Sequence, residues 1–184
     1  MRRYVRELQP TSVFDLAAMV ALYRPGPMDN IPAYIRRKHG QEPIAYPHKS
    51  MEPILRDTYG CIVYQEQVML ISNSLAGFSL NEADNLRKAM GKKKPEIMAK
   101  FAEQFVQGAR NSGASESVAR EIWDNIIKFG GYGFNKSHST AYALITYQTA
   151  YLKANFRTAF LAANFSCEMG NSDKVKELLD DAKK

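Results

Sequence analysis

The chain has 184 residues, 45% hydrophobic and 24% charged, with 25 Lys and Arg against 19 Asp and Glu for a formal net charge of +6. That length supports one domain or one large lobe with a real core, and the ordinary composition excludes wholesale disorder and fibrous repeats. No apolar run approaches the roughly 18 residues of a membrane span, and Met1-Arg2-Arg3-Tyr4 leads into no apolar signal region. The sequence reads as cytoplasmic, with no membrane partner.

The predicted elements are mostly helical, because apolar residues recur at spacings of three and four rather than alternating. Thr11 or Ser12 caps a helix carrying Phe14, Leu16, Ala17, Met19 and Val20, which Pro25-Gly26-Pro27 must end. A second, short helix runs to about Lys38, with Gly40 as its stop. After the loop from Pro43 to Pro53, the segment Cys61 to Tyr64 is the one convincing short strand. Gln65 to Ala76 reads as a helix with Val68, Ile71 and Leu75 on one stripe. Ser79-Leu80-Asn81-Glu82 fits a capping box that opens a helix closed by Gly91. Pro95 suits the first position of the next helix, whose Ile97, Phe101 and Phe105 share a face. Val118, Ile122, Ile126 and Phe129 form another such stripe. A long helix from about Ser137 to Asn155 follows, with shorter ones around Phe160 to Phe165 and Val175 to Leu179. The fold class is mainly α, a multi-helix lobe with at most a short strand or hairpin.

Two cysteines, Cys61 and Cys167, stand far apart without CxxC or histidine spacing, which argues against a zinc site and a disulfide framework. The positive charge is local. Seven basic residues between Arg2 and Lys38 face three acids, and Arg87, Lys88, Lys92, Lys93, Lys94 and Lys100 stand against Glu96 alone. Such clustering suits an anionic surface, although a solvated helix end explains any single run as well.

The most informative stretch is Gly130-Gly131-Tyr132-Gly133-Phe134-Asn135-Lys136-Ser137-His138-Ser139, directly before the long helix. Its glycines permit close backbone approach, and a helix start offers unpaired N–H groups to phosphate oxygens. Asn135 stands where a Walker loop has its second glycine, and helix rather than strand precedes it, which disfavours an ordinary P-loop. A plain helix–helix turn with capping polar residues is the other reading. Tyr23-Arg24-Pro25-Gly26-Pro27 makes a stiff corner that would hold Arg24, or only reverse the chain. Asp84 stands four residues before Lys88, so an ion pair competes with any ligand for that lysine. Tyr64-Gln65-Glu66-Gln67 could stack on or hydrogen-bond to bases, or satisfy a loop. No D-x-D pair lies on an apolar strand, and neither HExxH nor a serine elbow occurs, so neither a catalytic nor a metal-ligating residue is assigned.

Four blocks carry a family resemblance. They are Ala21 to Met28 (ALYRPGPM), Thr58-Tyr59-Gly60 with Tyr64 to Met69 (YQEQVM), Ala83-Asp84 with Leu86 to Lys93 (LRKAMGKK), and Tyr132 to Ser139 (YGFNKSHS). In order and spanning most of the chain, they closely resemble the bacterial replicative DNA polymerase III α subunit, a C-family polymerase, in its fingers region. The resemblance implies that 1–184 is a fingers-like lobe of a larger polymerase, and the chain itself is expected to divide into sub-lobes 1–60 and 61–170 with a helical tail 171–184. It implies an enzyme only as part of a nucleotidyltransferase, the isolated chain being inactive. No cofactor would be bound by this chain, Mg2+ being expected at the palm of the full subunit. The implied partners are deoxynucleoside triphosphate, primer–template DNA, the rest of the subunit and other replisome subunits. By this resemblance Arg24, Arg87, Lys88, Tyr132, Asn135, Lys136, Ser137 and His138 are candidates for nucleotide binding, and Lys92, Lys93, Lys94, Tyr64, Gln65 and Gln67 for DNA. A helical DNA-binding module without a nucleotide pocket, and a stand-alone phosphate-dependent enzyme, are the alternatives.

Overall fold

A computed structural model of the chain describes residues 1–92, 95–130 and 132–183. Among these, eleven α-helices and a few 3-10 turns account for the regular structure. The predicted strand is corrected: Cys61 to Tyr64 is extended, but its pairing is one parallel bridge between Tyr64 and Phe134. An extended segment with a single bridged partner residue has no ladder to belong to.

Chain order starts with α1 (Arg2–Leu8), which the apolar pattern did not announce, and α2 (Val13–Leu22). Ser12 is the N-cap of α2, its hydroxyl accepting from Asp15 N–H while the Asp15 carboxylate accepts from Ser12 N–H. The Pro25–Pro27 corner and a 3-10 turn at Pro27–Asn30 lead to α3 (Ile31–Lys38), after which Gly40 takes φ 69°. A single turn, α4 (Glu52–Leu55), precedes the extended segment. Helix α5 (Gln65–Ala76) ends on Gly77 at φ 71°. Helix α6 (Leu80–Lys92) opens on the Ser79–Glu82 capping box, but Gly91 does not close it, because the helix runs on to Lys92. The hairpin-like pair α7 (Pro95–Asn111) and α8 (Glu116–Gly130) follows, then α9 (Lys136–Asn155), α10 (Arg157–Glu168) and α11 (Ser172–Ala182).

Two apolar clusters hold these helices. One gathers Leu55, Ile62, Val68, Ile71, Leu75, Leu86, Phe105, Trp123 and Ile126, joining α5 to α8. The other gathers Leu8, Met19, Leu22, Ile31, Tyr34, Val63 and Tyr64, joining α1 to α3, with Phe134 against it. Along the extended segment Ile62 enters the first cluster, while Cys61, Val63 and Tyr64 meet the second. The segment 61–64 is therefore the seam of the molecule. Helix α9 lies chiefly along α2, and α10 folds back on α9 and α11.

A buried ion pair fixes the second cluster. Asp15 and Lys38 approach to 3.4 Å with side chains 4% and 7% exposed. The carboxylate also accepts from Thr11 N–H at 2.8 Å and from Tyr59 O–H at 3.3 Å, and Lys38 donates to the Gln9 carbonyl at 3.0 Å. With those bonds satisfied, the pair locks the start of α2 to the end of α3.

Candidate nucleotide and nucleic-acid interface

The glycine-rich stretch meets the seam. Gln65 N–H donates to the Phe134 carbonyl at 3.0 Å, and Phe134 N–H to the Val63 carbonyl at 3.3 Å. A Cβ on Gly133 would sit 3.0 Å from Gln65 Cγ and 3.6 Å from its Cα. The close approach permitted by that glycine is thus filled by Gln65, side chain and backbone together. Gly131 lies outside the described residues.

Onto this crossing the Pro25–Pro27 corner delivers Arg24. Its Nε donates to the Ala21 carbonyl at 2.9 Å and its guanidinium to the Tyr132 carbonyl at 2.5 Å, and it stacks over the Phe134 ring 4.5 Å from the centroid. Partial burial draws this guanidinium below its ordinary pKa. Gly26, at φ 100°, lies beneath the exposed Tyr132 ring.

Helix α9 begins here. Asn135 is its N-cap, the Oδ1 accepting from His138 N–H at 2.8 Å. The anion that meets the first free N–H is internal: Lys136 N–H donates to both oxygens of Glu66, at 3.1 and 3.0 Å, and Asn135 Nδ2 donates to the same carboxylate at 3.1 Å. Lys136 then carries its ammonium over the Tyr64 ring, 5.7 Å from the centroid. His138 stands between Phe134 and Tyr142, with ring centroids at 5.4 and 4.6 Å. Ser137 is exposed beside it.

Tyr64 is buried, and burial pushes its hydroxyl up to about 12. Gln67 is buried too, and its amide is fully engaged. Its oxygen accepts from Val63 and Tyr64 N–H at 2.8 and 3.0 Å, while its nitrogen donates to the Ile54 carbonyl and Thr58 Oγ1 at 3.2 and 2.8 Å. Gln67 therefore shapes the seam from within.

Arg24, Tyr64, Gln65, Tyr132, Asn135, Lys136 and His138 come together at one corner. Arg87, Lys88 and Lys92 do not join it through any contact described here. They stand on α6, which packs on α5, α7 and α8. Arg87 and Lys88 both bond Asp84, at 2.8 and 2.7 Å, and these bonds hold its carboxyl below the usual carboxylate range. Lys92 is exposed at the end of α6, and Lys93 and Lys94 lie outside the described residues. Residues that sequence reasoning did not single out are Glu66 and Phe134. The first is a polar residue inside a block already singled out, and the second stands among the glycines; their roles depend on contacts about 70 residues away.

The fold and this corner define a helical lobe that gathers cations and rings at the meeting of three chain segments. Residues 1–113 match the family model described as the bacterial DNA polymerase III alpha subunit finger domain, and the chain belongs to that family. It is 53% identical, over its whole length, to the DNA polymerase III subunit alpha of Thermus aquaticus and 49% identical to that of Bacillus subtilis. The Escherichia coli K12 subunit is 49% identical over 98% of the chain. The chain spans about 15 to 16% of the length of these relatives. Among the described residues no helix is long and apolar enough to cross a membrane.

Proposed function

We propose that this lobe binds the incoming deoxynucleoside triphosphate and primer–template DNA within a DNA-directed DNA polymerase subunit. The observation that carries the reading is the convergence of Arg24 and Lys136, each laid over a ring, at a corner whose backbone is fixed from both sides. Cations held over rings keep part of their charge available to an outward-facing polyanion, and Arg24 is oriented besides by its bonds to the Ala21 and Tyr132 carbonyls. They would bind the β- and γ-phosphates and hold the triphosphate in place while the primer hydroxyl attacks the α-phosphate. The exposed end of α6 at Lys92 suits the nucleic-acid backbone. Tyr142, Ile145, Tyr147 and Tyr151 of α9 are each about half exposed, a face suited to covering by the remainder of the subunit.

Among the described residues no group of three His, Cys, Asp or Glu side chains could hold a metal ion.

Titrating the chain with labelled triphosphate, with and without primed DNA, tests the reading. Binding should weaken in Lys136→Ala and Arg24→Ala, and the chain alone should extend no primer. Salt-sensitive DNA binding that ignores triphosphate and falls in Lys92→Ala would instead support the DNA-binding module. Magnesium-dependent hydrolysis of the nucleotide would support the stand-alone enzyme.

A further inference from the structure

We infer that Glu66 is the positioning residue of the triphosphate corner, an internal carboxylate that pins the start of α9 to the first turn of α5 and so aims Lys136. This rests on the reading of Lys136 as a phosphate ligand. Besides a side-chain hydrogen bond between Tyr64 and Ser139, three contacts tie the two helix starts together. The Tyr64–Phe134 bridge sets the backbones side by side. The Glu66 carboxylate accepts from Lys136 N–H through both oxygens and from Asn135 Nδ2. The Lys136 ammonium returns over Tyr64, two residues before Glu66.

The chemistry assigns the contacts different duties. The bridge is main chain and stays under any substitution at Glu66. The cation–ring contact is loose, at 5.7 Å, and cannot by itself choose a direction for a side chain with four rotatable bonds. The carboxylate is the polar link that acts on Lys136's own backbone, and it sits where the dipole of α9 favours a negative charge. It also holds the amide of Asn135, whose other end caps the helix at His138. Removing Glu66 therefore frees the backbone from which Lys136 projects while leaving its ammonium present. A second consequence follows for the ligand: with an anion already at the α9 N-terminus, the triphosphate is met by side-chain cations and not by helix N–H groups.

The test is a double-mutant cycle in the full-length α subunit that contains this chain, read as KM for the triphosphate and as kcat on a primed template. Lys136→Ala should raise KM with kcat little changed, as for a contact made equally before and during reaction. Glu66→Gln keeps the size of the side chain and one accepting oxygen, but it sets an NH2 group in place of the other oxygen and removes the negative charge. It should raise KM about tenfold, the effect of losing a charge-assisted hydrogen bond. Because Glu66 acts through Lys136, Glu66→Gln combined with Lys136→Ala should be no worse than Lys136→Ala alone. Thermal melts that superimpose with the parent would show that each variant folds. Glu66→Ala, which removes the carboxylate outright, should raise KM at least as much, and if it unfolds the isosteric Glu66→Gln carries the test. Effects that multiply in full, or a Glu66→Gln variant with unchanged KM, would overturn the pin while leaving the phosphate reading intact. An unchanged KM in Lys136→Ala would overturn both.

Discussion

Gly26 is the sharpest place to probe the corner. It sits at φ 100° and ψ −72°, between two prolines, and a Cβ built on it would meet the Tyr132 ring at 2.7, 2.9 and 2.9 Å. Gly26→Ala therefore carries two separable penalties. A side chain in a sparsely populated positive-φ region costs roughly 1–3 kcal/mol. The collision adds at most about 1 kcal/mol, because Tyr132 is 48% exposed and its ring is the end of a flexible side chain that can swing away. Gly77 supplies the reference. It has φ 71° and ψ 18°, with nothing within 4 Å of its Cβ position, so Gly77→Ala reports the ordinary left-handed cost of about 1–2 kcal/mol. We expect Gly26→Ala to lose about 2–3 kcal/mol, or about 4–12 °C in Tm for a chain of this size. Urea unfolding and thermal melts of both variants check the numbers, and Gly26→Ala in a Tyr132→Ala background should recover the collision alone. If Gly26→Ala costs no more than Gly77→Ala, and Tyr132→Ala changes nothing, the corner is not strained as described.

The remaining expectations concern stability. Tyr34 is fully buried with no hydrogen-bond partner for its hydroxyl, so Tyr34→Phe should stabilise the chain by about 1 kcal/mol in urea unfolding. Lys38→Met leaves the Asp15 carboxylate buried without its cation and should cost about 3–5 kcal/mol, whereas an exposed pair such as Lys174–Glu177 should cost under about 1 when broken. Burial raises the Tyr59 and Tyr64 hydroxyls from 10.0 to about 12. Their contribution is complete below pH 10 and is lost as pH rises toward 12, because the unfolded chain releases those protons first. Melts over that range should fall more shallowly in Tyr59→Phe and Tyr64→Phe, and parallel slopes would contradict the assignment.

Local chemistry made much of this protein legible before any coordinates. The capping hydroxyls of Ser12 and Ser79 act within four residues, so the starts of α2 and α6 could be read directly. The Val68, Ile71 and Leu75 stripe gave α5, and Gly77 beyond it supplies the left-handed stop. Pro95 opening α7 and the long run after Ser137 follow from the same short-range rules. Failures mark where local preference was overruled. Gly91 is a weak helix former but has no left-handed turn to make, so α6 passes through it. Helix α1 has seven residues and no side-chain cap bond, too little to announce itself, and Leu8 buried in the second cluster holds it.

The residue types suited to phosphate, the stiff corner at Arg24 and the periodicity of nearly every helix belong to the sequence alone, because caps, prolines and apolar spacing act over a few residues. Which of the basic residues share a corner was decided only by tertiary structure. Arg24 meets Tyr132 across 108 positions, Glu66 meets Lys136 across 70, and Arg87 turns instead to Asp84 three residues away. Contacts at such separations depend on how the two apolar clusters seat the helices on either side of the seam, and no spacing along the chain encodes that.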